Sequence, residues 1–180
     1  MGAETGGVPA TVTWGLLAAW MVHDAEEVAT MAPWLRKARQ ERFPWLPEVS
    51  QKQVNVAIGL MGGLIAAACA DGARTGGRSP LFQSVLAGFG VHGLVHLGQA
   101  AAVRGYTPGA VTAPLVVLPF SVWAWRRLKA EGVPVRGGSA SWWGLAAFPL
   151  AAAGVHAAAH VLTRGPRRAT GSGTPGRNRA

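Results

Sequence analysis

The chain has 180 residues, 49% of them apolar and only 14% charged. Soluble domains carry about 25% charged residues, so the composition excludes an ordinary soluble domain and indicates a small, single-domain polytopic membrane protein. A formal charge of +9 does not point to nucleic acid, because the basic residues fall in short segments between apolar blocks, as membrane proteins distribute them.

In chain order, residues 1–10 form a flexible N-terminus with no Lys or Arg ahead of the first apolar block, so a cleaved signal peptide is not expected. Five apolar segments follow: Thr11–Trp34, Val54–Ala70, Leu81–Val103, Val111–Trp125 and Trp142–Leu162. A spanning helix needs about 20 residues, with a range of roughly 17–25. The first, third and fifth segments meet that length; the second and fourth are marginal, and Pro114 and Pro119 are expected to kink the fourth. Trp14, Trp34, Trp123, Trp125, Trp142 and Trp143 gather near segment ends, as interfacial aromatic belts do. The fold class is therefore all-α, a membrane helical bundle of about five transmembrane helices spanning residues 11–163, followed by a disordered basic tail over 164–180. The single Cys69 lies in an apolar run and is read as a packing residue, with no disulfide framework.

With five spans, eleven of the 17 basic residues fall on one side and six on the other. The positive-inside rule then puts the C-terminus in the cytoplasm and the N-terminus outside. The segment from Arg36 to Lys52 has room for an interfacial helix.

All five histidines lie in apolar segments at ligand spacing. His23 opens H-D-A-E-E, which places Glu26 and Glu27 three and four residues on. His92 and His96 form one H-x-x-x-H and His156 and His160 another. Residues three and four apart share a helix face, so each run aims its donors at one point. Asp24 is turned about 100° from His23 and is expected off that face. Segments one, three and five run in the same direction. At about 1.5 Å per residue, their motifs lie roughly 14–20, 17–23 and 21–27 Å from the segment starts, close enough to converge at one depth. Gly88, Gly90, Gly93, Gly98 and Gly154 flank the histidine pairs and favour close helix approach. Three unpaired acids at mid-bilayer would cost on the order of 8–10 kcal/mol, and a bound cation offsets that cost.

The donors His23, Glu26, Glu27, His92, His96, His156 and His160 are too many for one zinc ion and suit two metals. A mixed imidazole and carboxylate shell favours a transition metal, iron first, with zinc or manganese as alternatives. The leading expectation is a di-metal membrane oxidoreductase acting on a lipid-like or other hydrophobic small molecule. A second is an intramembrane zinc hydrolase with Glu26 or Glu27 as catalytic base. A third is a metal-ion or proton transporter.

The run His23-Asp24-Ala25-Glu26-Glu27 near the start of a small multi-span chain, with two later histidine pairs, resembles the HXXEE-domain family over roughly Thr11 to Leu162. That resemblance implies a bacterial integral membrane protein of the cytoplasmic membrane, with no established activity to carry over.

Overall fold

The computed structural model describes residues 7–135 and 139–164, with the side chains of the last helix described from Phe148 onward. The described residues form five α-helices: α1 (Ala10–Glu41), α2 (Gln51–Arg74), α3 (Pro80–Val103), α4 (Leu118–Ala130) and α5 (Ser139–Thr163), with a π-helical turn over Ala113–Val117 leading into α4. No strand occurs among the described residues. The first six residues and, apart from Arg164, the expected tail over 164–180 lie outside them; Val8 donates its N–H to Gly76 O at 3.3 Å.

Local signals set the helix starts. Ser50 accepts from Gln53 N at 3.1 Å to cap α2. Ser79 caps α3 by accepting from Phe82 N at 3.1 Å, ahead of Pro80 at the first helical position. The Ser79 hydroxyl donates in turn to Asp71, fixing the short α2–α3 connection.

Two boundaries differ from expectation. α1 continues through Arg36, Lys37 and Arg39 to Glu41, so the basic stretch read as a loop is helical, and Arg39 pairs with Glu48 at 3.2 Å. Pro114 has no N–H to give to a regular helix. The chain answers with the π-turn, in which Leu118 N bonds Ala113 O five residues back. α4 itself has 13 residues, and only together with the five of the π-turn does the helical stretch 113–130 reach the lower limit of a span.

Contacts give the helix directions. Trp34 Nε1 donates to Tyr106 O, just past the end of α3, and Arg42 donates to Val103 O, so α1 and α3 are parallel. Gln53, near the start of α2, meets His160, near the end of α5, so α2 and α5 are antiparallel. The core is a layer of Val12, Leu16, Ile65, Phe82, Leu86, Phe89, Val117 and Leu128, gathered around the first halves of α1 and α3. Above it the buried stripe of α3 continues through Gly93 and His96, and that of α1 through His23 and Glu27. α2 and α3 are long and apolar enough to cross a membrane; the apolar part of α5, Phe148–Thr163, is shorter. Met21, Val22, Leu94, Leu115, Leu150 and Val161 project outward, each more than half exposed.

The glycines divide. A Cβ on Gly88 would lie 2.5 Å from Phe148 Cβ on α5, and one on Gly93 would lie 2.9 Å from Val117 Cγ1. Gly98 and Gly154 face open space, so their expected role in close approach is not seen. Gly88→Ala should therefore lower the melting temperature, by overpacking worth about 1–3 kcal/mol. Gly98→Ala should raise it, because alanine is favoured over glycine in a helix interior by up to about 1 kcal/mol. Thermal melts of the two purified variants in one detergent check the opposite signs.

Candidate metal centre

Donor atoms of His23, Glu27, His92 and His96 all lie within 4.8 Å of one another. α1 supplies two of them one turn apart, and α3 supplies the other two with the same spacing. His96 Nε2 is 2.8 Å from His92 Nε2 and 3.4 Å from Glu27 Oε1. The His23 ring stands edge-on to His92 and His96, with centroids 5.2 and 4.9 Å away. Phe89 closes the floor with its ring 6.1 Å from His23.

A segment from Arg104 to Thr112 crosses over this group as a strap and determines which nitrogens face inward. Pro108 O lies 2.8 Å from His96 Nδ1. A carbonyl only accepts, so His96 Nδ1 carries the proton and Nε2 presents its lone pair to the cluster. On the other ring, His23 Nδ1 is 2.7 Å from Thr112 Oγ1, and that hydroxyl is 2.6 Å from Glu26 Oε2. The single hydroxyl proton goes to the carboxylate, so the oxygen accepts from His23 Nδ1–H. His23 Nε2 is then a lone pair too, fully buried and without a partner. Metal-binding histidines are held this way, with the outer N–H bonded to a carbonyl or, here through a hydroxyl, to a carboxylate. The buried lone pair, the two oriented rings and the adjacent carboxylate fit a transition-metal ion. Metal–ligand bonds of about 2.0–2.2 Å require only small closing shifts of such a group.

Glu26 takes a different place from the one expected. Its carboxylate accepts from Thr112 N at 2.8 Å, Thr112 Oγ1, Val111 N at 3.3 Å and Tyr106 Oη at 2.8 Å. Four donors fill the acceptor sites of a carboxylate, so Glu26 anchors the strap and is not turned to the cluster. Burial first, and then the Glu26 charge, hold the Tyr106 phenol above its usual pKa, against the lowering effect of the Thr30 hydroxyl, which keeps the phenol a donor.

His160 is also set apart, with Nδ1 3.3 Å from Gln53 Nε2 of α2. His156 does not join the four-residue group but lines a cavity beside it, together with Glu27, His92 and Asp24. Asp24, expected off the ligand face, is only 6% exposed. With Trp20 and Glu27 it lines the cavity shared with α2 and α5, while His23 meets α3 and the strap.

Sequence reasoning missed the strap. The T-P-G run marks a turn, but nothing in it announces a centre. Gly109 has φ +80°, and a Cβ there would lie 2.7 Å from His96 Nδ1 and 2.8 Å from His23 Cε1. Only glycine combines that backbone conformation with that closeness.

Thr112→Val should lower metal affinity about 10–100-fold, the usual cost of losing an outer-shell partner, and Thr112→Ser should restore it. Gly109→Ala should lose more, because it displaces two rings at once. Competition titrations against a chelator of known affinity measure all three; equal affinity in Thr112→Val and the parent chain would remove the hydroxyl from this role.

The model of the family described as "Protein of unknown function with HXXEE motif" matches residues 14–124. No curated protein and no solved structure matches the chain. The match is shorter than the span expected from the motifs: it includes His23, Glu26, Glu27, His92, His96 and the whole strap, and stops before His156 and His160. It nevertheless extends over more than half of the sequence, and the chain belongs to the HXXEE family.

Proposed function

We propose that this chain is a membrane-embedded metalloprotein that holds one transition-metal ion on His23, Glu27, His92 and His96 and acts as an oxidoreductase on a hydrophobic small molecule. The convergence of four donor atoms within 4.8 Å carries this reading. A two-ion site would draw on the set of seven ligands, of which Glu26 and His160 are engaged elsewhere and His156 lies outside the group. Three imidazoles and one carboxylate close a tetrahedral zinc shell, which is the arrangement of structural zinc. The same four donors leave positions open on iron or manganese, and that favours redox chemistry over hydrolysis. When bound, such an ion supplies one-electron chemistry at an open position.

The chain's own residues have separable tasks. His96 and His23 present fixed lone pairs, the first held by Pro108 O and the second by Thr112. Glu27 balances cationic charge inside the bundle. Phe89 and Phe148 shield His23 and His92 from water. The membrane setting is supported by α2 and α3 and by the apolar side chains turned outward around the bundle. Ionisable groups kept inside such a bundle mark functional sites.

Elemental analysis of protein purified in detergent, without oxygen and with iron, manganese and zinc supplied, should give about one iron or manganese per chain. Two ions per chain would restore the di-metal site, zinc alone would favour the hydrolase or a structural site, and a metal-free protein would refute the metal reading. Reporter fusions at residues 1 and 180 should report opposite sides of the membrane, as an odd number of spans requires. Both ends on one side would overturn the five-span arrangement.

A further inference from the structure

The four-residue group is closed on one side and open on another. On the closed side Pro108, Gly109 and Thr112 press against His96 and His23. On the other side Glu27 and His92 border a cavity of about 60 Å³ between α1, α2 and α5. That is room for more than one water-sized group. Most of its wall is apolar, formed by Trp20, Met61, Phe148 and Val155 among others. Its remaining polar groups are Asp24 and His156. Asp24 is 6% exposed, and its Oδ2 is buried with no hydrogen-bond partner. His156 is exposed on α5 and so stands at the outer end.

We infer that this cavity is the passage by which a divalent metal ion enters and leaves the centre, with His156 as its outer and Asp24 as its inner transient ligand. The inference rests on the one-ion reading above. An ion that sheds water inside an apolar bundle needs a replacement donor at each step. The polar groups of this cavity supply that series: His156 at the surface, the free oxygen of Asp24 within, then Glu27 and His92 in the centre. The strap offers no such series: the Pro108 carbonyl and the Thr112 hydroxyl already hold the ligand rings, Glu26 is saturated by the strap itself, and the buried Thr107 hydroxyl, though unpartnered, is a single neutral donor with no acidic group beyond it on the strap. An unpartnered carboxylate oxygen costs stability in a folded core, and a free donor atom beside the centre is what a passing cation requires.

A donor on the path but outside the final shell changes the barrier in both directions and leaves the equilibrium untouched. Loading of apo full-length protein with Co2+, followed by its visible absorption, and extraction by EDTA measure the two directions. In Asp24→Asn and in His156→Ala, loading and extraction should both slow about tenfold or more, with the final cobalt content equal to that of the parent chain. Ala152→Leu, which narrows the cavity without touching a donor, should slow both as well. Rates equal to the parent's in all three variants would overturn the inference. So would a loss of final cobalt content in Asp24→Asn or His156→Ala, which would make those residues holding ligands instead. A parent chain that binds no cobalt would remove the metal reading and this inference together, whereas unchanged rates in a chain that does bind it remove only the passage.

Discussion

The hydroxyl of Thr112 has one proton, and the arrangement of the centre depends on where it goes. Glu26 takes it, so the hydroxyl oxygen must accept from His23 Nδ1, and the opposite nitrogen of that ring is left as a buried lone pair. The same carboxylate takes the Thr112 and Val111 amides and the Tyr106 phenol. One side chain of the H-x-x-E-E run thus organises the strap, while its neighbour Glu27 enters the cluster. The two glutamates divide because consecutive positions on a helix point about 100° apart: Glu26 meets the strap and Glu27 meets His96.

That division requires α1 to be covered over a wide arc. Ala19 meets the π-turn and α4 and His23 meets α3 and the strap, whereas Trp20, Asp24 and Glu27 line the cavity shared with α2 and α5. A helix packed on one side only would have left Asp24 in contact with solvent or lipid. The π-turn contributes from the far end of the strap. By absorbing the missing N–H of Pro114 it lets Ala113–Val117 continue directly from Thr112, and Val117 seats against Gly93, one residue beyond His92. Strap, turn and α3 are thereby held in one register. A π-turn beside a functional site is a recurrent association.

The helices were legible in the sequence because they rest on long apolar runs closed by Ser caps, Pro and Gly. The parallel course of α1 and α3, and the meeting of His23 and Glu27 with His92 and His96, could be anticipated from spacing, since 3.6 residues per turn decides which side chains stack. What spacing cannot give is the choice among donors that all sit on suitable faces. Glu26 and His160 had the right residue types and positions; a nearby loop and a Gln53 amide claimed them instead. Those competitors lie about 80 and 107 residues away in sequence, beyond any local pattern. Gly109 was hidden for a related reason, because its importance comes from two rings that fold onto it from different helices.

The role of α5 follows from the same geometry. The four-donor group is complete with α1 and α3, and the strap fixes the His23 and His96 rings, so no donor in it comes from the last helix. What α5 adds is cover: Phe148 lies 5.5 Å from His92 and, with Val155, walls the cavity beside Glu27. A cluster of imidazoles and carboxylates inside an apolar bundle is tolerated only while its polar atoms keep partners and uncontrolled water is kept out. The strap meets the first demand for the outer nitrogens of His23 and His96, leaving His23 Nε2 to a bound ion, and α5 meets the second. Such a division leaves His156 free to stand at the outer edge of the cavity rather than in the centre, which is where a five-histidine count would have put it.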